Sequence, residues 1–169
     1  MPGRQIVTTA PNRRWSPRKK KQLASIRADI SNTLQSEIDS VPGRVRRILR
    51  QRAEKDILAG ARLDNTDVEE VVSLIGFVAV CRTYADELAI NEVTLRTYSD
   101  LQQYVEQATE ALVGSLRGGD ARIRAYRHMQ AEAAIRFSEV LFGRDYALLM
   151  RRAAENALAG ERKPSRAQQ

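Results

Sequence analysis

The sequence predicts an all-α protein: an N-terminal basic helix-turn-helix arm followed by a helical bundle of about four helices. Three observations predict it. Apolar residues recur at spacings of three and four through most of the chain, the period of an amphipathic helix. Pro and Gly punctuate these stretches at intervals that suit helix ends. Basic charge is concentrated in the first third. Residues 1–60 hold 14 Lys+Arg against 5 Asp+Glu, whereas residues 61–160 hold 11 against 15. The net charge of +7 therefore conceals a basic segment joined to a mildly acidic body.

Composition bounds the function. With 169 residues, 43% hydrophobic, the chain can bury a core. One Cys excludes an intramolecular disulfide framework and a zinc site with several thiolates, and one His excludes intrachain sites that need two imidazoles. No apolar run reaches 18 residues, so no transmembrane segment is expected. The start, Met1-Pro2-Gly3-Arg4, lacks the apolar region of a signal peptide. Arg outnumbers Lys 23 to 5. Arg favours bidentate contact with phosphate or carboxylate, although high genomic GC content gives the same bias.

Residues 1–15 lack helical periodicity and read as a basic extended arm. Residues 16–60 read as two amphipathic basic helices. Ser16-Pro17 is a helix start, with Ser as cap and Pro in the first turn. Leu23, Ile26, Ile30, Leu34, Ile38 and Val41 then draw one narrow stripe, predicting a helix over about 17–40. Val41-Pro42-Gly43 predicts a break, and Val45, Ile48, Leu49, Ala53, Ile57 and Leu58 predict a second helix over about 43–59. The first helix is too long for the DNA-reading helix-turn-helix motif.

Gly60 to Asn65 reads as a linker, and residues 66–160 as the bundle. Thr66 with Glu69 suggests a capping box. The nearly all-apolar stretch 71–81 predicts a central buried helix over about 67–89, with a strand as the alternative because of its Val content. Residues 90–98 read as a connector. A helix is expected from about Tyr98 to Gly118-Gly119, another over about 120–142, and a last one over about 145–159. Residues 161–169 are a polar tail.

The body offers no catalytic set, and the chain reads as a non-enzyme with no cofactor. There is no glycine-rich phosphate loop, HExxH or EF-hand. His128 and Glu132 supply one imidazole and one carboxylate, which suits an exposed pair better than a metal site. Cys81 lies in the most apolar segment, where a small core residue is expected. Glu69-Glu70 and Asp86-Glu87 suit a solvated face or a meeting with Arg better than acid–base work.

The arm is the sharper site. Arg13, Arg14, Arg18, Lys19, Lys20 and Lys21 surround Trp15, the only Trp. Four cations in the first turns of a helix oppose its dipole, so local stability does not explain them, whereas a bound polyanion would. Arg27, Arg44, Arg46, Arg47, Arg50, Arg52 and Lys55 extend the basic surface. Trp15 suits stacking on a base, insertion beside the backbone, or anchoring of the arm on a protein surface. Few side chains suit base-edge readout, so backbone binding without sequence choice is expected. The alternatives are a helical protein–protein adaptor whose arm grips an acidic partner, or a DNA-binding regulator.

The run Arg13 to Lys21, the Leu23-Ile26-Ile30-Leu34 helix, the Val41-Pro42-Gly43 turn, the Arg44 to Lys55 helix and the bundle behind them together resemble the major capsid proteins of filamentous double-stranded DNA viruses of hyperthermophilic archaea. The resemblance lies in layout along the whole chain rather than in a diagnostic motif. It implies a homodimer, or a heterodimer with a related capsid subunit, assembled into a helical filament. It implies helical arms that wrap double-stranded DNA in the A form, bundles that build the shell, and a place in the virion (otherwise the cytoplasm). The arm residues named above would make the phosphate contacts, and no enzymatic residue carries over.

Overall fold

The Ser16 hydroxyl accepts a hydrogen bond from the Lys19 amide at 3.4 Å, and Pro17 opens the first helix behind it. In the computed structural model, which describes residues 16–58, 61–86, 90–118 and 120–160, this helix, α1, runs from Pro17 to Leu49. Its 33 residues make a rod about 50 Å long. The break expected at Val41-Pro42-Gly43 is absent, because Pro42 stands inside the helix. Packing decides this. A proline inside a helix costs about 3 kcal/mol, but Ile38, Val41, Val45, Ile48 and Leu49 around it are all buried. Burial of each is worth about 1.5–3 kcal/mol, so the core face outweighs the proline. There is thus no helix-turn-helix. The lower part of the expected arm is a wall of the core, and only the upper part stands clear of it.

The second arm helix expected over 43–59 is also corrected. α1 ends at Leu49, Arg50 turns to extended geometry, and only a 3₁₀ turn, Glu54–Asp56, follows. The Gln130 side chain holds the carbonyls of Ile48 and Arg50, and the latter would otherwise receive the amide of residue 54 in a continuing helix.

Helix α2 spans Asn65–Thr83. Asp64 caps it by accepting from the Thr66 amide at 2.8 Å, so the Thr66–Glu69 capping box does not form. The Val-rich stretch is helical, as expected, and Val68, Val71, Ile75, Val78 and Cys81 face inward. The helix stops at Thr83, short of the expected 89: the Tyr84 amide turns back to the Cys81 carbonyl, and residues 87–89 lie outside the described residues. Helix α3 spans Asn91–Gly114, so the connector expected at 90–98 is mostly helix. Its inner face is partly polar: Thr94, Thr97 and Thr109 are buried beside Leu101, Val105 and Leu112. Threonine at core positions hid the helical period.

Helices α4, Ala121–Phe142, and α5, Arg144–Ala159, match their expected spans. Asp120 caps α4 through the Arg122 amide at 2.9 Å. Gly143 separates the two helices at φ +89°, a geometry that favours glycine. Ala131, Ala133 and Ala134 let neighbours approach α4 closely, while Ile135 and Phe137 fill the centre. The helices α3 and α4 each pack against all the others, and α5 closes one side against them. Thr109 and Ser138 hydroxyls, 3.1 Å apart, tie α3 to α4 inside the core. The result is an all-α bundle of five helices, with no strand among the described residues.

Two relations orient α1. Arg44 pairs with Glu70, and Arg47 with Asp67 at 3.4 Å, so α1 and α2 run antiparallel. Asp39 meets Arg96 at 3.5 Å, and Arg46 lies over the Tyr104 ring, so α1 and α3 run parallel. The upper half of α1 therefore leaves the bundle where α2 ends and α3 begins. Every residue from Ser16 to Ile30 is exposed.

Candidate nucleic-acid interface

The arm residues singled out in the sequence fall into three groups. Arg13, Arg14 and Trp15 lie outside the described residues. Arg18, Lys19, Lys20 and Lys21 ring the N-terminal end of α1, with Arg27 two turns further down, all exposed among the described residues. Successive helical residues are 100° apart, so the four at the tip point around the helix rather than to one side. The first turn holds no acidic residue to offset them.

The third group sits at the other end of the same helix and is partly committed. The Arg44 guanidinium donates to Glu70 and the Arg47 guanidinium to Asp67. Arg46 stacks 5.4 Å from the Tyr104 ring centroid. Arg46 and Arg47 also lie in the last turn of α1, where cations complement the helix dipole. Part of the basic character of this segment is therefore structural.

Arg50 and Arg52 remain. Both are exposed, and neither side chain forms an ion pair among the described residues. With Arg46, Arg47, Gln51, Ala53 and Asp56 they line an open depression of about 590 Å³. Beside it, Arg47 and Arg52 share a second hollow with Arg62 and Tyr126. Sequence reasoning missed Arg62, which it placed in a linker; the fold brings it to the cluster. Lys55 is exposed on the 3₁₀ turn, outside the lining. Asp56, Asp64 and Asp67 moderate the local field.

The site is thus two basic clusters, one at each end of α1. Lys19 and Arg50 are separated by about 45 Å at 1.5 Å per residue. The helix delivers cations to both ends and an apolar face between them. This arrangement can neutralise phosphates along an extended polyanion.

The remaining candidates have ordinary structural settings. Cys81 is buried, and burial pushes its thiol pKa up, opposite to the shift of an activated nucleophile. His128 and Glu132 are 3.8 Å apart on the surface of α4, and no group of three metal-ligating side chains occurs among the described residues. Glu69 accepts from Arg136 at 2.7 Å, which holds its carboxyl below the usual range. Asp86 accepts a hydrogen bond from Asn91. Burial raises the Tyr104 hydroxyl pKa, partly opposed by Arg46, and burial raises that of Tyr146 with support from Glu106 and Glu110. No helix is long and apolar enough to cross a membrane among the described residues. Comparison with protein families, with curated proteins and with solved structures finds no match.

Proposed function

We propose that this protein packages nucleic acid: it coats and wraps double-stranded DNA without sequence choice, as a repeated structural subunit of a helical viral nucleocapsid. The observation that carries this reading is the pair of cation clusters at the two ends of α1, one on its exposed N-terminal half and one with Arg50 and Arg52 unpaired among the described residues. Backbone phosphates are the chemistry that such arginines and lysines fit. In this role the protein acts by stoichiometry, as a dimer of itself or with a related subunit, and needs no cofactor or metal. With α1 continuous through Pro42, the wrapping follows from many unbroken helices laid around the duplex rather than from a turn that divides each arm. The A-form duplex and the virion location come from the resemblance to filamentous archaeal virus capsid proteins.

Gel shifts on unrelated duplexes at several salt concentrations test the proposal. Similar affinity for all duplexes and a steep fall with salt are expected, because phosphate contacts release counterions. Absent or salt-insensitive binding would remove it. A second reading has one observation in its favour. The exposed apolar stripe on upper α1 suits a helical adaptor that docks on another protein. That reading expects no tight duplex binding.

A further inference from the structure

The free half of α1 carries an apolar stripe as well as charge. Leu23, Ile26 and Ile30 are 44%, 47% and 47% exposed, and Leu34 is half-buried where the stripe enters the bundle. Lys19, Leu23, Ile26, Ile30, Thr33 and Glu37 follow one another at steps of four, three, four, three and four. That is the a/d pattern of a coiled coil, on a helix that is exposed from Ser16 to Ile30 among the described residues and meets the bundle from Leu34 onward.

The two ends of this seam carry opposite charges. Lys19 stands at the tip and Glu37 near the bundle, and neither side chain is ion-paired among the described residues. Two copies lying parallel would set Lys19 against Lys19 and Glu37 against Glu37. Two copies lying antiparallel, with Ile26 opposite Ile30, set Leu23 against Thr33 and Lys19 against Glu37 at both ends. Both arrangements bury the same apolar side chains, so the charges at the ends decide.

We propose that residues 19–37 of α1 pair with the same segment of a second copy as a short antiparallel coiled coil, in the register that places Ile26 against Ile30 and Lys19 against Glu37. The foot of the arm fits this partner. Val80 and Tyr84 at the end of α2 and Leu95 at the start of α3 are exposed at the height where α1 leaves the bundle. In this register the Lys19–Ile26 stretch of the second copy passes at that height. The pairing also sorts the flanks. Lys20 and Arg27 occupy the position after d in the heptad, so those of both copies gather on one side, with Asp29 on the other. The same flank carries Leu34, which packs on the core, so the Lys20 and Arg27 side chains of both copies gather on the side of the coiled coil that faces the bundles. This deepens the self-association in the proposed packaging role and rests on that reading.

The test uses the full chain without nucleic acid. Sedimentation equilibrium should show a dimer. Lys19→Glu and Glu37→Lys should each weaken it about tenfold, by replacing two attractive pairs with two repulsive ones, and the double variant should restore it. In a Cys81→Ala background, Ile26→Cys chains mixed with Ile30→Cys chains should form crosslinked heterodimers, and neither should crosslink alone. A monomer, a crosslink from Ile26→Cys alone, or a double reversal without rescue would overturn the pairing. A monomer that still binds duplex would sink the pairing and leave the coating role; a dimer that ignores duplex DNA does the reverse.

Discussion

The side-chain amide of Gln130, on α4 and 1% exposed, donates to the backbone carbonyl of Arg50 at 3.1 Å and to that of Ile48 at 2.8 Å. One buried amide nitrogen thus closes the end of a helix 80 residues earlier in the chain. Helix ends leave carbonyls without partners, and a buried one is costly unless something donates to it. Gln130→Leu keeps the volume and removes the donor. A loss of about 1–3 kcal/mol in urea denaturation is expected. Gln130→Glu should lose at least as much at neutral pH, since a carboxylate cannot donate. A silent Gln130→Leu would show that the bond does not hold α1.

Pro42 lies within α1, flanked by the fully buried Val41 and Val45. It supplies no amide to the carbonyl of Ile38. Pro42→Ala should raise stability by as much as about 3 kcal/mol, read as an upward shift in thermal midpoint. If the chain broke at this point, the same change would be neutral or destabilising.

The arginines divide by partner. Arg50→Ala with Arg52→Ala should leave the fold intact and reduce duplex affinity. The slope of log affinity against log salt should fall by about 0.9 for each phosphate that is no longer neutralised. Arg44→Ala breaks the pair with Glu70 and should leave the salt slope almost unchanged. Equal effects from both changes would contradict this division.

Acid should weaken the join between α2 and α4. The Arg136 guanidinium lowers the Glu69 pKa in the folded protein from its ordinary 4.5. The folded carboxyl then binds a proton less readily than the unfolded one. Its contribution is present above the unfolded pKa and is lost as pH falls through the folded value. Stability of the wild type and of Glu69→Gln, compared from neutral pH to below the folded pKa, should converge at the acid end. A constant difference would assign the effect to something other than this ionisation.

Much of the fold is legible in the sequence, and the exceptions share a cause. The Val-rich α2 and the spans of α4 and α5 follow from period and punctuation. Pro42 misleads because local propensity opposes a helix whose face is buried by other helices, and only those contacts decide the contest. The start of α3 is hidden because Thr94 and Thr97 take core positions that apolar periodicity does not register. The end of α1 depends on Gln130, far along the chain and invisible to any local reading. The basic clusters can be counted from the sequence, but which arginines are engaged cannot. Arg44 and Arg47 find acids on α2, while Arg50 and Arg52 do not, and Arg62 joins them from across a segment read as a linker.

An uninterrupted helix is also a ruler. With α1 unbroken, the interval between the tip cations and the Arg50–Arg52 hollow is set by peptide geometry rather than by loop flexibility. Inserting one residue between Ser31 and Leu34 would swing the tip by 100° and advance it only 1.5 Å. Inserting a whole heptad would move it outward by about 10 Å while returning the stripe to nearly the same azimuth. Any lattice built through this rod would therefore read its spacing in steps of seven residues. Single-residue changes would scramble the facing direction before they altered the spacing appreciably.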